Sequence, residues 1–401
     1  MERKVGVWLI GVNGGLATTI IFGSTAIASG LVPATGMITE RDEFRRLGLL
    51  NISEIVFGGH DIRKVNVFES AYEVYKETGT IDYELLLKVK NDLQKVDREV
   101  QCGTTINCGE AIEGLATRCD LDEKKTLRER VLHLQRDLLT FKERNSLSHV
   151  IVVNVASTEP ILPQEERHNH LKGLKKILDE NDYSSIRAST LYSFAAIDLG
   201  FPYINFTASN APLIPAIQEL AEKRRVPFMG SDGKTGETML KSAIAPMFKY
   251  RNLHVMSWQG YNILGDRDGK VLSNEGPKQS KVTGKDKAIS NILGYPLHTH
   301  VGIDYVPSLN DWKTAWDFIH FKGFLGVKMC MQFIWQGCDS ILAAPLVLDM
   351  TRLADFSLKK GEYGPMKHLA CFFKDPVGVE DHDLHNQFHL LLNYVEEHSK
   401  G

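Results

Sequence analysis

Apolar residues along this chain fall into two alternating patterns. Val5-Gly-Val-Trp-Leu-Ile10 is a short continuous apolar run, the pattern of a strand covered on both faces of a parallel sheet. Ile55-Val-Phe57 and Val150-Ile-Val-Val-Asn-Val155 repeat it, and the stretch from Tyr192 through Phe194 to Ile197 predicts a weaker fourth strand. Each run lies next to a helical stretch, and that alternation predicts a doubly wound α/β domain. From about 66 to 147 the chain turns charged, with Leu85, Leu86, Leu87, Val89 and Leu93, then Leu127, Val131, Leu132, Leu134 and Leu138 near a period of 3.6, which predicts covering helices. A second composition occupies about 250 to 335, where Leu253-His-Val-Met-Ser-Trp258 and Met329-Cys-Met-Gln-Phe-Ile-Trp335 read as strands. After Asp339 the chain is helical again with no Pro/Ser linker, so it is expected to return to the first domain.

Length and charge narrow the function. At about 150 residues per domain, 401 residues predict two or three domains. The 47 Lys+Arg against 50 Asp+Glu leave a net charge of −3, so there is no cationic footprint for sequence-independent nucleic-acid binding. No CxxC pair occurs among Cys102, Cys108, Cys119, Cys330, Cys338 and Cys371, which argues against a zinc ribbon and fits reduced thiols in a cytosol. The uncharged stretch 5–39 imitates a signal peptide or membrane span. Its glycines and Pro33, and an apolar part too short to cross a bilayer, favour a buried strand and helix of a soluble protein instead.

Four segments carry candidate chemistry. Gly11-Val-Asn-Gly-Gly15 sits where the first strand meets a helix, where free N–H groups can meet a phosphate; its spacing departs from GxGxxG, and a plain tight turn is the alternative. Asp61, after the second apolar run, can bind ribose hydroxyls or cap a helix. Ser231-Asp-Gly-Lys-Thr-Gly-Glu-Thr238 resembles the end of a Walker A loop, but Phe228 stands where that loop needs glycine. What remains is a helix start that can hold a phosphate or simply be capped by Asp232 or Thr235. Lys278, Lys281, Lys285 and Lys287, with Lys313 and Lys374 further on, form either a solvated loop or a cationic group able to stabilise an enolate. His382, His385 and His389 lie on a predicted last helix; Asp381 is roughly 12 Å from His389 at 1.5 Å rise per residue, so surface histidines are expected there, and His298 and His300 on a predicted strand read the same way.

In combination, the stretch 231–242, Asn262-Ile-Leu-Gly-Asp-Arg-Asp-Gly269, Leu272-Ser with Pro277-Lys-Gln-Ser-Lys281, and the stretch 338–349 resemble the myo-inositol-1-phosphate synthase family of the shorter prokaryotic type. The resemblance covers most of the chain. It implies a Rossmann-like doubly wound parallel sheet over 1–238, interrupted by an α+β catalytic and tetramerisation domain over 239–340 and rejoined by 341–401. It implies a cytoplasmic homotetramer, with no membrane or nucleic-acid partner, that converts D-glucose 6-phosphate to 1D-myo-inositol 3-phosphate. NAD would be the cofactor, and a divalent metal or monovalent cation stays open. Carried over residue by residue, Gly11, Val12, Asn13, Gly14, Gly15, Asp61, Ala156, Ser157, Thr158, Asp339 and Ser340 would hold the dinucleotide, with Glu159 lining it beside Thr158. Thr235, Gly236 and Glu237 would face the substrate phosphate. Lys281, Lys285, Lys313 and Lys374 with Asp232 and Asp268 would be catalytic. Two departures stand out: the usual Asn-rich turn is Gly14-Gly-Leu-Ala17, and Glu237 replaces the family's usual Gln. A homologue cyclising another sugar phosphate, a net sugar-phosphate dehydrogenase, and a regulator that has lost catalysis are the alternatives.

Overall fold

A computed structural model describes residues 3–117, 125–265 and 289–399. In chain order its strands are β1 (Val5–Ile10), β2 (Ile55–Asp61), β3 (Val100–Cys102), β4 (Val150–Asn154), β5 (Tyr203–Asn205) and β6 (Pro227–Gly230), then β7 (His254–Leu264), β8 (His298–Tyr305), β9 (Trp312–Lys322), β10 (Lys328–Cys338) and the short β11 (Gly364–Pro365). Seven of them form one sheet in the order β11-β6-β5-β4-β1-β2-β3, and every pairing in it is parallel. This is the Rossmann-like doubly wound arrangement with one strand added at an edge. The remaining four form a mixed sheet, β10-β9-β7-β8, inserted between β6 and β11 in the chain.

The continuous apolar run of β1 is explained by its central place. Val5, Val7 and Leu9 face one core, which they share with the Gly15–Ala28, Val67–Thr78, Tyr83–Val96 and Asp339–Lys359 helices. Trp8 and Ile10 face the other, against the Leu127–Arg144, Leu171–Glu180, Ala188–Asp198 and Pro215–Arg224 helices. Capping fixes where several of these helices begin: Asn66 and Glu69 form a reciprocal box, as do Thr126 and Glu129. The Trp8 indole N–H donates to His60 Nδ1 at 2.9 Å, Phe141 packs on the Trp8 ring with centroids 5.0 Å apart, and His60 Nε2 lies 3.0 Å from Asp137. Because the Gly11 and Val12 N–H groups both donate to the His60 carbonyl, this packing also sets the turn after β1.

Two expectations need correction. The stretch from Tyr192 to Ile197 is not a strand but part of the Ala188–Asp198 helix, in which every residue from Ala188 to Ile197 is buried; a helix covered all round shows no amphipathic period. The region expected to be wholly helical also contains β3, only three residues long. On the last helix, Leu384–Ser399, His385 and His389 are exposed, and His382 precedes it.

The mixed sheet packs one face on the Gly236–Tyr250 helix through Ala245, Phe248, Val255, Trp258 and Ile319. Its outer face leaves Trp316, Tyr261 and Ile334 exposed, Ile334 by 73%. The sheet is also tied to the seven-stranded half: the Asn310 side-chain amide donates to the Glu77 carbonyl and the Trp312 indole to that of Thr78, at 3.2 Å, in the last turn of the Val67–Thr78 helix.

Removing the ring beneath Trp8 is expected to loosen the sheet centre. Phe141→Ala should cost about 3–5 kcal/mol, the scale of an aromatic cavity in a core, as measured by urea unfolding followed by tryptophan fluorescence. A loss below about 1 kcal/mol would place the weight of the core elsewhere.

Candidate active site

The connections from β1 and β4 run to opposite sides of the sheet, so a crevice opens beyond their carboxyl ends. A cleft of about 330 Å³ lies there. At its first end Gly11 turns the chain with φ +86°, and a Cβ at that position would sit 3.1 Å from the Ala156 backbone. The Gly14 N–H donates to the Gly11 carbonyl at 2.9 Å. The Gly15–Ala28 helix that follows has neither a side-chain cap nor an acid in its first turn, so its positive end faces the cleft without a competing anion. Asp61 at the end of β2 holds the turn in place, its Oδ2 accepting from the Asn13 N–H at 2.8 Å and its Oδ1 from the Arg63 N–H at 2.7 Å. Burial pushes the Asp61 carboxyl above its ordinary value. Asn13 is fully buried, and its Oδ1 has no hydrogen-bond partner. A glycine cradle that any Cβ would narrow, an uncapped helix start and an orphaned buried oxygen together fit a dinucleotide.

The middle wall comes from the β4 end. Asn154 Oδ1 accepts from the Ala156 N–H, its amide donates to Asn205, and the Thr158 and Thr207 hydroxyls meet at 3.5 Å. Ala156, Ser157 and Thr158 therefore line the cleft in a fixed loop. Beside them Glu159 is buried and accepts from both the N–H and the hydroxyl of Ser189 in the first turn of the Ala188–Asp198 helix. Burial pushes its carboxyl up to about 7.

The far end gathers acids and lysines from separated segments. Asp232, in the left-handed region with φ +59°, follows β6. Its backbone carbonyl accepts from the Lys374 N–H at 2.7 Å, and its carboxylate from the Lys374 ammonium at 2.8 Å. Lys313, near the start of β9, donates to Asp339 Oδ2 at 3.1 Å, and the Thr235 hydroxyl to Asp339 Oδ1 at 3.2 Å. Asp311 caps the Asp339–Lys359 helix by accepting from the Ser340 N–H at 3.2 Å and the Cys338 thiol at 2.8 Å. Burial raises the Asp311 carboxyl and pushes the Cys338 thiol up to about 12.

Of the residues singled out in the sequence, the cleft is lined by Gly11, Asn13, Gly14, Gly15, Asp61, Ala156, Ser157, Thr158, Asp232, Thr235, Lys313, Asp339, Ser340 and Lys374. Val12 is buried beneath the turn, and the Glu237 side chain is buried beside Lys241 rather than lining the cleft. Lys234 also points inward, its ammonium reaching Gln387. Asp268, Lys281 and Lys285, with Lys278 and Lys287, lie outside the described residues. Among the described residues no three His, Cys, Asp or Glu side chains converge as a metal-binding group. Glu159, carried over with Ala156 to Thr158, lines the cleft as well, and Arg63 and Asp311 do so without having been signalled by any motif; only the nearness of Arg63 to Asp61 and of Asp311 to Lys313 in the chain pointed their way.

A family model for NAD binding, described as myo-inositol-1-phosphate synthase, matches residues 5–396. The chain belongs to the myo-inositol-1-phosphate synthase family. Inositol-3-phosphate synthase 1 of Bacteroides thetaiotaomicron is 32% identical to it, over 97% of this chain and 94% of that protein. The crystal structure of inositol-3-phosphate synthase from Caenorhabditis elegans shares the fold with a TM-score of 0.88 at 24% identity, covering 100% of this chain and 86% of that one. That of a myo-inositol-1-phosphate synthase-related protein from Thermotoga maritima does so with a TM-score of 0.80 at 22% identity, over 98% and 99% of the two chains.

Asp61→Ala is expected to weaken NAD binding by about tenfold or more, the scale of one hydrogen bond to a charged group. Isothermal titration calorimetry reads this directly, and unchanged affinity would remove Asp61 from the dinucleotide site.

Proposed function

We propose that this chain catalyses the NAD-dependent, redox-neutral cyclisation of D-glucose 6-phosphate to 1D-myo-inositol 3-phosphate. The observation that carries this reading is the convergence of two lysine–aspartate pairs, Lys313–Asp339 and Lys374–Asp232, on the cleft whose other end is the glycine cradle. When bound, NAD would accept a hydride from C5 and return it after ring closure. The chain's own residues would do the rest. The Lys313 and Lys374 ammonium groups, held by aspartates and only partly exposed, would stabilise negative charge on the C5 and C1 oxygens while C6 attacks the C1 aldehyde. Lys281 and Lys285, carried over from the family resemblance, would complete the set and relay protons, with Asp268 beside them. Thr235, Gly236 and the Glu237 backbone N–H would hold the phosphate at the start of the Gly236–Tyr250 helix.

We infer further that residues 1–238 and 341–401 serve as the nucleotide-binding part and 239–340 as the catalytic and tetramerisation part of a cytoplasmic homotetramer. Among the described residues no helix is long and apolar enough to cross a membrane. Exposed Trp316, Tyr261 and Ile334 on the outer face of the mixed sheet, with Phe324 and Leu325 at its β9–β10 turn, supply the apolar surface that subunit contacts would cover.

Incubation with glucose 6-phosphate and substoichiometric NAD⁺ should give many turnovers of inositol phosphate per coenzyme with no net NADH absorbance. NADH growing in step with product would make this a net dehydrogenase, and a different carbocycle would change the substrate assignment. Lys→Ala at 281, 285, 313 or 374 should lower kcat by about 10²–10³-fold with NAD binding retained, whereas Lys287→Ala should remain active. Near-native rates in two of the four would remove the lysines from the chemistry. Sedimentation equilibrium should give a tetramer that Ile334→Asp dissociates; a monomeric native protein would refute that assembly.

A further inference from the structure

Glu237 occupies the second position of the Gly236–Tyr250 helix, where an anion would oppose a phosphate bound at the same helix start. Its side chain is turned underneath instead. Glu237 is 1% exposed, and one turn along the helix Lys241, 2% exposed, places its ammonium 2.5 Å from Glu237 Oε1. The same ammonium lies 3.4 Å from Asp317 Oδ1 on β9, and Asp317 is fully buried and accepts from the Trp258 indole N–H at 2.7 Å. Glu237 Oε2 accepts from the Asn262 side-chain amide at 2.8 Å, and Asn262 lines the cleft. The sheet is shaped around this group: a Cβ at Gly260 would fall 2.5 Å from the Lys241 ammonium and closer still to Glu237.

Two carboxylates and one ammonium withdrawn from water carry a heavy desolvation cost, and apolar residues would fill such a space more stably. What the triad provides is connection. Glu237 is next to Gly236 and two residues from Thr235, Asn262 belongs to β7, and Asp317 is on the same face of β9 as Lys313, four residues away. Burial, with the neighbouring Glu237 carboxylate, pushes the Asp317 carboxyl above its ordinary value, and the Lys241 ammonium opposes that rise.

We propose that Lys241 is a positioning residue for the phosphate end of the site, its buried ammonium offsetting the Glu237 charge and locking the first helical turn to the strands that carry Asn262 and Lys313. The proposal rests on the phosphate site of the function proposed above. It explains how this chain accommodates an acid in the first turn of a helix whose start would hold a phosphate: the carboxylate is directed away from the ligand and matched by a cation.

Calorimetry on the NAD-loaded protein, with glucose 6-phosphate and separately with inorganic phosphate, tests it. Glu237→Gln keeps the shape and leaves the Lys241 charge less opposed, so both ligands should bind about two- to fivefold tighter, the size of one charge at a helix end. Lys241→Met should weaken both by about tenfold or more, and Glu237→Gln/Lys241→Met should recover most of that loss, because the uncompensated carboxylate is gone. NAD affinity should stay level in all three, a pattern that general damage to the fold would not give. Unchanged or weaker binding in Glu237→Gln, native affinity in Lys241→Met, or a folded double variant that binds no better than Lys241→Met would each overturn the proposal. If Lys241→Met does not fold, Glu237→Gln and the double variant decide, the latter then being compared with the native protein, to which it should bind within about threefold. A native protein that binds inorganic phosphate but not glucose 6-phosphate would sink the substrate reading while the triad is still judged on phosphate; one that binds neither would sink both.

Discussion

The chemistry end of the cleft depends on a short backbone zipper between segments far apart in the chain. The Ser231 N–H donates to the Asp375 carbonyl at 2.7 Å and the Asp375 N–H returns the bond at 3.1 Å; the Lys374 N–H reaches Asp232, the Lys234 N–H reaches Phe372, and the Val377 N–H reaches Gly230. These bonds extend the edge of β6 and place a lysine from the last tenth of the chain against the loop that opens the Gly236–Tyr250 helix. Closing so long a loop carries a large entropic cost, which the buried Phe372 and Phe373 rings help to offset. Without this pairing, Lys374 would be a surface residue after a short strand, and Asp232 would have no cation opposite it.

The two described lysines at the site share a further property. Each is held by an aspartate from a different element, Lys374 by Asp232 and Lys313 by Asp339, so neither cation is placed by its own local structure. A side chain held by a tertiary partner loses less freedom when a ligand arrives, and its charge already points where negative charge would develop. Asp339 also accepts from Thr235, so one carboxylate relates the turn before the Gly236–Tyr250 helix to Lys313.

Much of this was legible in the sequence, for physical reasons that differ by residue. β1 and β4 were readable because strands buried on both faces are almost continuously apolar, β2 from its leading Ile55-Val-Phe57 alone, and the turn at Gly11 because only glycine permits its close approach to Ala156. The Ala188–Asp198 helix was not, since burial on all sides erases the period that distinguishes a helix from a strand. The direction of Glu237 was also hidden: spacing puts it at a helix start, but whether its carboxylate faces a ligand or a lysine one turn away depends on what packs beneath, here Gly260 and Asp317. Arg63 and Asp311 escaped notice because a single charged residue in a loop or beside a strand carries no pattern; only the fold brings them to one cleft. The lysine group was visible in the residues, but the choice of Lys281, Lys285, Lys313 and Lys374 with Asp232 and Asp268 came from a resemblance, and the roles at 268, 281 and 285 rest on it alone.

The bonds from Asn310 and Trp312 to the last carbonyls of the Val67–Thr78 helix bear on how this architecture can vary. Terminal helix carbonyls have no partners within their own helix, and here two of them serve as sockets for the connection from β8 to β9 that leads into Lys313. A helix turns by roughly 100° with each residue, so one residue gained or lost within it would swing both sockets away from that connection. The helix therefore acts as a ruler between the seven-stranded half and the lysine-bearing sheet. Its length, more than its sequence, is the quantity that insertions and deletions in this region must leave alone.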